Sequence, residues 1–280
     1  VKWIIFVILL WFMLYDSNRF VRVDYTFKDK RIKKKCRAVV LADLHNKSFG
    51  KQNEKLLAAI AEYEPDFILI PGDIPTAHPN KSLDVATHFI QELSKKYTIY
   101  YANGNHEHRM RLYPETYGDM YSRYEKVLRD AGVVHLINSN TQLKEYGICI
   151  YGAEIDKYYY KRFGIKPMPD DYMPEILGTP SGEWFNVLLA HNPDYFLNYA
   201  SWGSDLTLAG HVHGGVIRIP FWGRGLLSPN VRFFPKYDGG IFQKDKSVML
   251  VSRGLGIHTI PFRLFDPAEV LVLDFVPDES

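Results

Sequence analysis

Side chains that bind metal ions recur directly after short apolar segments of this sequence. In chain order they form the groups Asp43-Leu44-His45, Gly72-Asp73, Gly104-Asn105-His106-Glu107, His191 and Gly210-His211-Val212-His213. Residues two apart in an extended chain point to the same side, so an Asp-x-His or His-x-His pair can hold one ion. Burying this many carboxylates and imidazoles together without a cation would cost considerable free energy. The pattern therefore predicts a metal centre.

The apolar segments alternate with amphipathic ones, as in a layered α/β domain. Strands are predicted at 37–42, 66–70, 97–101, 133–136, 142–144, 148–151, 187–190 and 206–209, and helices at 51–63, 82–93 and 113–131. The donor groups then lie at the C-terminal ends of buried strands, where open α/β sheets place their ligand sites. Two later strands, 247–252 and 270–275, are expected to pair with each other in a second sheet.

The same residues resemble a known family. The succession DLH, GD, GNHE, AHNPD and GHVHGG is similar to the signature of the calcineurin-like metallophosphoesterases, and the similarity covers roughly residues 37–275. The later segments GHVHGGVIRIPFWG, SRGLG and AEVLVL resemble the membrane-associated bacterial branch of that family. The resemblance implies a four-layer αββα sandwich, preceded here by an N-terminal membrane helix.

The resemblance also implies a centre of two divalent or mixed-valence metal ions. One ion would be held by Asp43, His45, Asp73 and His213, and the other by Asp73, Asn105, His191 and His211. Such mixed nitrogen and oxygen ligands suit Mn, Fe or Zn better than Ca or Mg. Two ions about 3.5–4 Å apart activate a bridging hydroxide for attack on phosphorus. His106 is the expected catalytic residue, which stabilises the transition state or protonates the leaving oxygen.

One position departs from a related pattern. Relatives of the phosphoprotein-phosphatase type carry an aspartate three residues after the bridging carboxylate, and that aspartate orients the catalytic histidine. Thr76 stands at this position here. His106 is therefore either a weaker acid or oriented by another residue, whereas Glu107 is expected to orient ligands rather than to bind metal.

The N-terminus combines an apolar segment with a basic one. Residues 3–15 are all apolar, and nine Lys or Arg residues face two acids between Arg19 and Arg37. A helix of this apolar length is short of the ~30 Å hydrocarbon core, although snorkelling by Lys2 would close part of the gap. A cleaved signal peptide is the alternative, but no small-x-small cleavage site follows. The sequence favours an anchor at 1–18, a basic linker or first strand at 19–36, and a catalytic domain at 37–280.

The segment 214–237 follows the last donors and alternates cationic with aromatic side chains. Within it, Arg218, Arg224 and Trp222 are the candidate substrate-binding residues. Such a segment suits a second phosphate with an apolar tail, and also a lipid headgroup surface. With the anchor, it favours a phosphodiester or pyrophosphate of a lipid-linked or nucleotide-linked envelope metabolite. The expected location is a bacterial cell membrane, with the side undecided.

Other functions remain open on the sequence alone. A nucleotide phosphodiesterase, a phosphoprotein phosphatase of the same fold, or a non-catalytic membrane scaffold would share many of these features. The net charge of +2 gives no case for a nucleic-acid partner, and nothing indicates a protein partner. The metal and catalytic positions carry chemically competent residues throughout, which favours an enzyme.

Overall fold

The computed structural model describes residues 2–161, 164–228, 232–257 and 262–279. Within these ranges the strands are β1 (Phe20–Asp29), β2 (Cys36–Val40), β3 (Phe67–Ile70), β4 (Thr98–Tyr101), β5 (Val134–His135), β6 (Ser139–Leu143), β7 (Ile148–Ala153), β8 (Phe185–Ala190), β9 (Leu206–Ala209), β10 (Gly240–Lys244), β11 (Ser247–Val251) and β12 (Ala268–Pro277). The α-helices are α1 (Lys2–Ser17), α2 (Glu54–Glu62), α3 (Asp84–Ser94), α4 (Asn105–Leu112), α5 (Pro114–Tyr117), α6 (Met120–Asp130), α7 (Tyr172–Leu177) and α8 (Phe196–Trp202).

The strands form two mixed sheets of six. The first has the order β1-β12-β2-β3-β4-β5, and the second has the order β10-β11-β9-β8-β7-β6. The strands β2 to β5 are parallel, as are β7, β8, β9 and β11. The C-terminal ends of the central strands in each sheet therefore point in one direction, which is what a shared site needs.

Alternation along the strands produces four layers. In β2 and β3, Val39 and Ile68 pack against the core shared with α2, α3 and α6, whereas Val40 and Leu69 face the second sheet. In the second sheet, Leu188 packs with α7 and α8 on the outer face. Both sheets are thus covered by helices on one face and by each other on the opposite face. The predicted layered α/β sandwich is confirmed.

Two predictions about the elements are corrected. The strands β11 and β12 do not pair: β11 joins β9 and β10 in the second sheet, while β12 lies between β1 and β2 in the first. A strand that is buried on both faces has the same apolar pattern in either sheet, so its pattern does not identify its neighbour. The single helix predicted at 113–131 is interrupted at Gly118, whose φ of 59° does not fit a helix.

The apolar N-terminal segment forms α1, whose C-terminal end packs on the sandwich. Ser17 Oγ accepts a hydrogen bond from the Arg263 backbone N–H at 2.9 Å, and the rings of Phe12 and Phe265 lie 5.1 Å apart. In the part of the chain that the structure describes, no helix has both the length and the apolar character needed to cross a bilayer. The 16 residues of α1 reach about 24 Å at 1.5 Å per residue. The expected transmembrane helix is therefore not found.

Candidate metal centre

The donor groups lie at strand ends of both sheets. Asp43 follows β2, Asp73 follows β3 and Asn105 follows β4 in the first sheet, whereas His191 follows β8 and His211 follows β9 in the second. The sheets bring these ends together at one edge of the sandwich. Apart from the partly buried Asn105, the donor side chains are buried.

The backbone at these strand ends adopts an uncommon conformation. Asp43, His45, Asp73, His211 and His213 all have positive φ angles, between 49° and 72°. Non-glycine residues rarely adopt this region, and they cluster at functional sites, where the surroundings hold them in place. The loops support one another, since the His45 N–H donates to the Asp73 carbonyl at 3.2 Å.

Two glycines make room for the carboxylates. A Cβ atom at Gly104 would lie 2.2 Å from Asp73 Oδ1, and one at Gly210 would lie 2.2 Å from Asp43 Oδ2. Any side chain at either position would displace a donor oxygen. The glycines of the GNHE and GHVHGG motifs thus create the cradle in which the carboxylates sit.

The first donor set joins Asp43, His45 and His213. Asp43 Oδ1 lies 3.6 Å from His45 Nε2 and 3.4 Å from His213 Nε2, and the two imidazole Nε2 atoms are 3.1 Å apart. These three donor atoms lie close enough together to hold one ion.

The second donor set joins Asp73, His191 and His211. Asp73 Oδ2 lies 3.0 Å from His191 Nε2, and the three donor atoms lie within 4.8 Å of one another. Asp73 Oδ2 is also 3.8 Å from His45 Nε2. Asp43 Oδ1 likewise lies 3.7 Å from His191 Nε2, so each of the two carboxylates has an oxygen near imidazoles of both sets.

The Asn105 side chain is a further potential metal ligand on the side of the second set. Its Oδ1 atom is buried and has no hydrogen-bond partner among the described residues. A buried amide oxygen without a partner is costly, and a cation would satisfy it.

The outer nitrogens of two histidines fix the direction of the inner ones. His191 Nδ1 lies 2.9 Å from the Pro71 carbonyl, and His213 Nδ1 lies 3.1 Å from the Gly256 carbonyl. Since a carbonyl only accepts, each Nδ1 carries the proton and each Nε2 lone pair is directed inward. The residues present therefore fit a metal centre with mixed nitrogen and oxygen ligands.

Electrostatics keep the Asp73 carboxylate ionised. Burial alone would raise the pKa of Asp73, but the imidazoles of His191, His106 and His45 hold it well below its usual 3.8. In turn, although burial opposes it, the carboxylates of Asp73 and Asp43 raise the pKa of His191 to about 10. Burial and the nearby His191 lower the pKa of His211 to about 3. The buried carboxylates thus stabilise positive charge beside them, and a metal ion that binds must displace a proton.

The residue that orients His106 is Ala77, which the sequence did not suggest. The Ala77 backbone N–H donates to His106 Nδ1 at 2.8 Å. Thr76 Oγ1 is buried but has no hydrogen-bond partner among the described residues. Because Nδ1 accepts, the neutral imidazole carries its proton on Nε2, and this atom lies 3.9 Å from Asp73 Oδ2. A backbone amide thus takes the position that an aspartate has in the phosphatase pattern.

Glu107 binds the strand-end loops together rather than a metal. Its carboxylate accepts N–H groups of Asp73, Ile74 and Gly104, each at 3.0 Å, and the Tyr101 hydroxyl donates to it as well. Burial, with the nearby Asp73, raises the pKa of Glu107 to about 8. This side chain positions the loops that carry Asp73 and Asn105.

A model of the calcineurin-like phosphoesterase family matches residues 36–215, which is more than half of the chain. The chain belongs to this family. As a member of the calcineurin-like phosphoesterases, it is a metal-dependent phosphoester hydrolase.

Bacterial relatives of this calcineurin-like phosphoesterase are similar over most of its length. An uncharacterized metallophosphoesterase of Campylobacter jejuni is 28% identical over 87% of this chain and 60% of its own length. One of Aquifex aeolicus is 25% identical over 91% of both chains. The phosphodiesterase YaeI of Escherichia coli is 24% identical over 84% of this chain and 80% of its own. The chain thus spans less than two thirds of the Campylobacter relative.

The three candidate substrate residues of this phosphoesterase lie in the loop after the last donors. Arg218 donates to the Gly214 carbonyl at 3.0 Å and to that of Gly223, so its guanidinium holds its own loop. Arg224 Nε lies 3.3 Å from the Asp238 carboxylate. Trp222 is largely exposed and contacts Phe234, with the ring centres 5.6 Å apart. Residues 229–231 of this loop lie outside the described residues. A substrate role for the three residues stays a prediction.

Proposed function

We propose that this calcineurin-like phosphoesterase uses a centre of two metal ions to hydrolyse a phosphodiester or pyrophosphate. Two adjoining donor sets, each made of one carboxylate and two imidazoles, support this most directly. A mononuclear site would need only one of these sets. The ligands of the proposed ions are those implied by the sequence, with Mn, Fe or Zn as the metals.

The ions, when bound, supply a water nucleophile of lowered pKa and neutralise charge on the phosphoryl oxygens. The protein supplies the geometry. Asp43, with His45 and His213, holds one side of the centre, while His191, with His211 and Asn105, holds the other. Backbone carbonyls hold the imidazoles of His191 and His213 with Nε2 directed inward, which preorganises these two ligands.

His106 acts on the substrate as a hydrogen-bond and proton donor. Because the Ala77 N–H donates to Nδ1, the neutral imidazole carries its proton on Nε2. The imidazole is buried beside Asp73, where a donated proton would reach a phosphoryl or leaving-group oxygen at the centre.

The preference for a diester or a pyrophosphate draws on a relative. The similar protein of Escherichia coli is named a phosphodiesterase. The cationic and aromatic loop 214–237 favours a substrate that is amphiphilic, such as a lipid-linked or nucleotide-linked envelope metabolite.

The test is hydrolysis of bis(4-nitrophenyl) phosphate and of 4-nitrophenyl phosphate by the full chain, after chelation and after Mn is added back. We expect diester cleavage that depends on Mn, with two ions per chain by elemental analysis. Asp73→Asn should lower kcat by about 10³-fold or more and lower the bound metal, because the shared ligand loses its charge. Asp245→Asn is the matched control, since that carboxylate is exposed in the turn between β10 and β11.

Three results would contradict the proposal. Cleavage of the monoester alone would indicate a phosphomonoesterase, and full activity with one ion per chain would exclude the two-metal centre. Retention of turnover in Asp73→Asn would remove the bridging role.

We further propose that α1 attaches the protein to a bacterial cell membrane, on a side that the charges leave open. Many of its described apolar side chains are exposed, with Trp3 at 81% and Leu14 at 60% of their full exposure. The phenyl ring of Phe221 in the loop 214–237 is fully exposed too. Exposed apolar patches of this kind mark interaction sites, and aromatic side chains suit the bilayer interface.

Co-sedimentation with vesicles that contain anionic lipid tests this attachment. We expect binding that falls when Trp3 and Trp11 are both replaced by serine. Equal binding of this variant and the unaltered chain would contradict it.

A further inference from the structure

A cavity of about 490 Å³ opens beside the metal centre. Among the residues that line it are Asn105, Arg109, Leu112, Lys157, Tyr160 and Lys161. Asn105 belongs to both the cavity and the centre. Cavities of this size accept small-molecule ligands.

The wall of the cavity continues into the second donor set. The ring of Tyr160 lies 5.3 Å from the ring of His211 and 6.4 Å from that of His191. A molecule in the cavity would therefore contact Asn105, and only the Tyr160 ring would separate it from His191 and His211. The cavity is placed to hold a part of the substrate next to the phosphoryl group that is cleaved.

Three cations line the cavity without carboxylate partners. Among the described residues, Arg109, Lys157 and Lys161 form no ion pair with an acid. Asp156 also lines the cavity, but one of its carboxylate oxygens accepts the Tyr158 N–H at 2.7 Å. The lining thus has a surplus of positive charge.

Aromatic rings hold two of these cations in place. Lys157 Nζ donates to the Tyr113 hydroxyl at 2.6 Å and lies 4.7 Å from the centre of that ring. Lys161 Nζ lies 4.4 Å from the centre of the Tyr158 ring. A lysine that rests on an aromatic face has less freedom to lose when it binds an anion.

We propose that this cavity binds a second phosphoryl group of the substrate, linked to the group that is cleaved. Arg109, Lys157 and Lys161 neutralise its charge, and Leu112 with Tyr160 contacts the organic part that it carries. The inference rests on the proposed function for the cleavage step. It selects, within that function, substrates with two phosphoryl groups over simple diesters.

Lysine footprinting tests the cavity without turnover. The full chain, kept metal-free with a chelator, is acetylated with and without adenosine 5′-diphosphate, and each lysine is quantified by mass spectrometry. We expect adenosine 5′-diphosphate to lower the acetylation of Lys157 and Lys161 at least fivefold, and adenosine to leave it unchanged. Lys126 and Lys244, exposed and outside the lining, are internal controls.

A second pair of probes distinguishes the sources of the phosphoryl group. Farnesyl diphosphate and farnesol are compared in the same way. Protection by farnesyl diphosphate alone assigns the organic part to a lipid, and protection by adenosine 5′-diphosphate alone assigns it to a nucleotide. Either result, or protection by both diphosphates, supports the cavity proposal. Absence of protection by either diphosphate, or equal protection by adenosine or farnesol, overturns the proposal.

Kinetics with the metal-loaded chain supply an independent reading. In Lys157→Gln/Lys161→Gln, the KM for ADP-ribose should rise about tenfold more than the KM for bis(4-nitrophenyl) phosphate. Lys126→Gln is the matched control for loss of a surface lysine. An equal rise for both substrates would mean that the lysines act on the cleaved group alone, which overturns the proposal.

The two proposals fail in different ways. If the unaltered chain cleaves neither substrate while the diphosphates still protect Lys157 and Lys161, the proposed cleavage is wrong and the binding cavity stands. If it cleaves both with no protection and no difference in KM, the cleavage stands and the cavity proposal is wrong.

Discussion

Two segments of this phosphoesterase are rich in both cationic and aromatic residues, but their cationic side chains have different interaction partners. In the loop 214–237, the Arg218 guanidinium donates to carbonyls of its own loop, and Arg224 lies against Asp238. In the segment 156–161, Lys157 and Lys161 rest on tyrosine rings and form no ion pair with described acids. The cationic side chains of the first segment stabilise the conformation of their own loop. Those of the second segment line the cavity.

The orientation of the aromatic rings differs in the same sense. Phe221 and Trp222 of the loop 214–237 are exposed, whereas Tyr160 is packed against His211. Composition predicts a binding surface at 214–237 but not at 156–161. The partners of each charge decide which one faces the reacting group and which one faces outward.

The largest expected effect concerns the centre that both segments flank. His106→Gln should lower kcat by about 10²–10⁴-fold for every substrate, since it removes the proton donor. The change should be the same for bis(4-nitrophenyl) phosphate and ADP-ribose, unlike the cavity variants, which separate the two by KM. Steady-state kinetics and metal content measured together check this.

His78→Asn is the control for loss of an imidazole, because His78 is exposed on the loop after Asp73. If His106→Gln also lost its metal ions, His106 would be acting as a ligand and not as a donor. An effect on KM for ADP-ribose alone would move His106 to the binding of the second phosphoryl group.

The donor positions could be predicted from the sequence because each follows an apolar strand. Asp43, Asp73 and His191 lie next to strands whose burial is clear from composition. That the donors come from two sheets could not be predicted, since apolar strands such as β11 and β12 look alike whichever sheet they join.

The sequence contains no comparable signal for the orientation of His106 or for the cavity. Every residue except proline has a backbone N–H, so nothing in the sequence distinguishes Ala77 as the partner of His106. Lysines and tyrosines at 156–161 have the composition of an ordinary surface loop. Their proposed role depends on the contact between Lys157 and Tyr113, which are far apart in the sequence.

The next effect concerns acid stability on the side of the cavity. Burial, with the nearby Arg111, lowers the pKa of His135 to about 4. Its Nε2 lies 2.8 Å from Asn103 Oδ1, and Asn103 donates to Glu154 at 2.6 Å, just before the segment 156–161. Between pH 6.5 and 4, the unfolded chain binds a proton on this histidine that the folded chain does not. The free energy of unfolding should therefore decrease as the pH is lowered from 6.5 to 4, by about 3 kcal/mol at most from this group.

Urea unfolding at pH 7 and pH 4.5 measures this loss, and His135→Asn should reduce it. Relative to the intrinsic exchange rate at each pH, the protection of amide hydrogens should fall more at pH 4.5 in 154–161 than in 214–237. The same pH dependence in His135→Asn and in the unaltered chain would show that other groups cause it, and equal exchange in both segments would remove this difference between them.

The smallest effect concerns the outward-facing loop. Trp222→Ala should lower the vesicle-bound fraction about threefold, because the exposed indole no longer reaches the bilayer interface. Its KM for ADP-ribose should change less than that of Lys157→Gln/Lys161→Gln, and the protection of Lys157 by adenosine 5′-diphosphate should persist. Tyr158→Ala is the matched aromatic loss in the other segment, and it should weaken that protection because Lys161 loses the ring on which it rests. If Trp222→Ala abolished the protection instead, the indole would reach the cavity, and the two segments would form a single binding site.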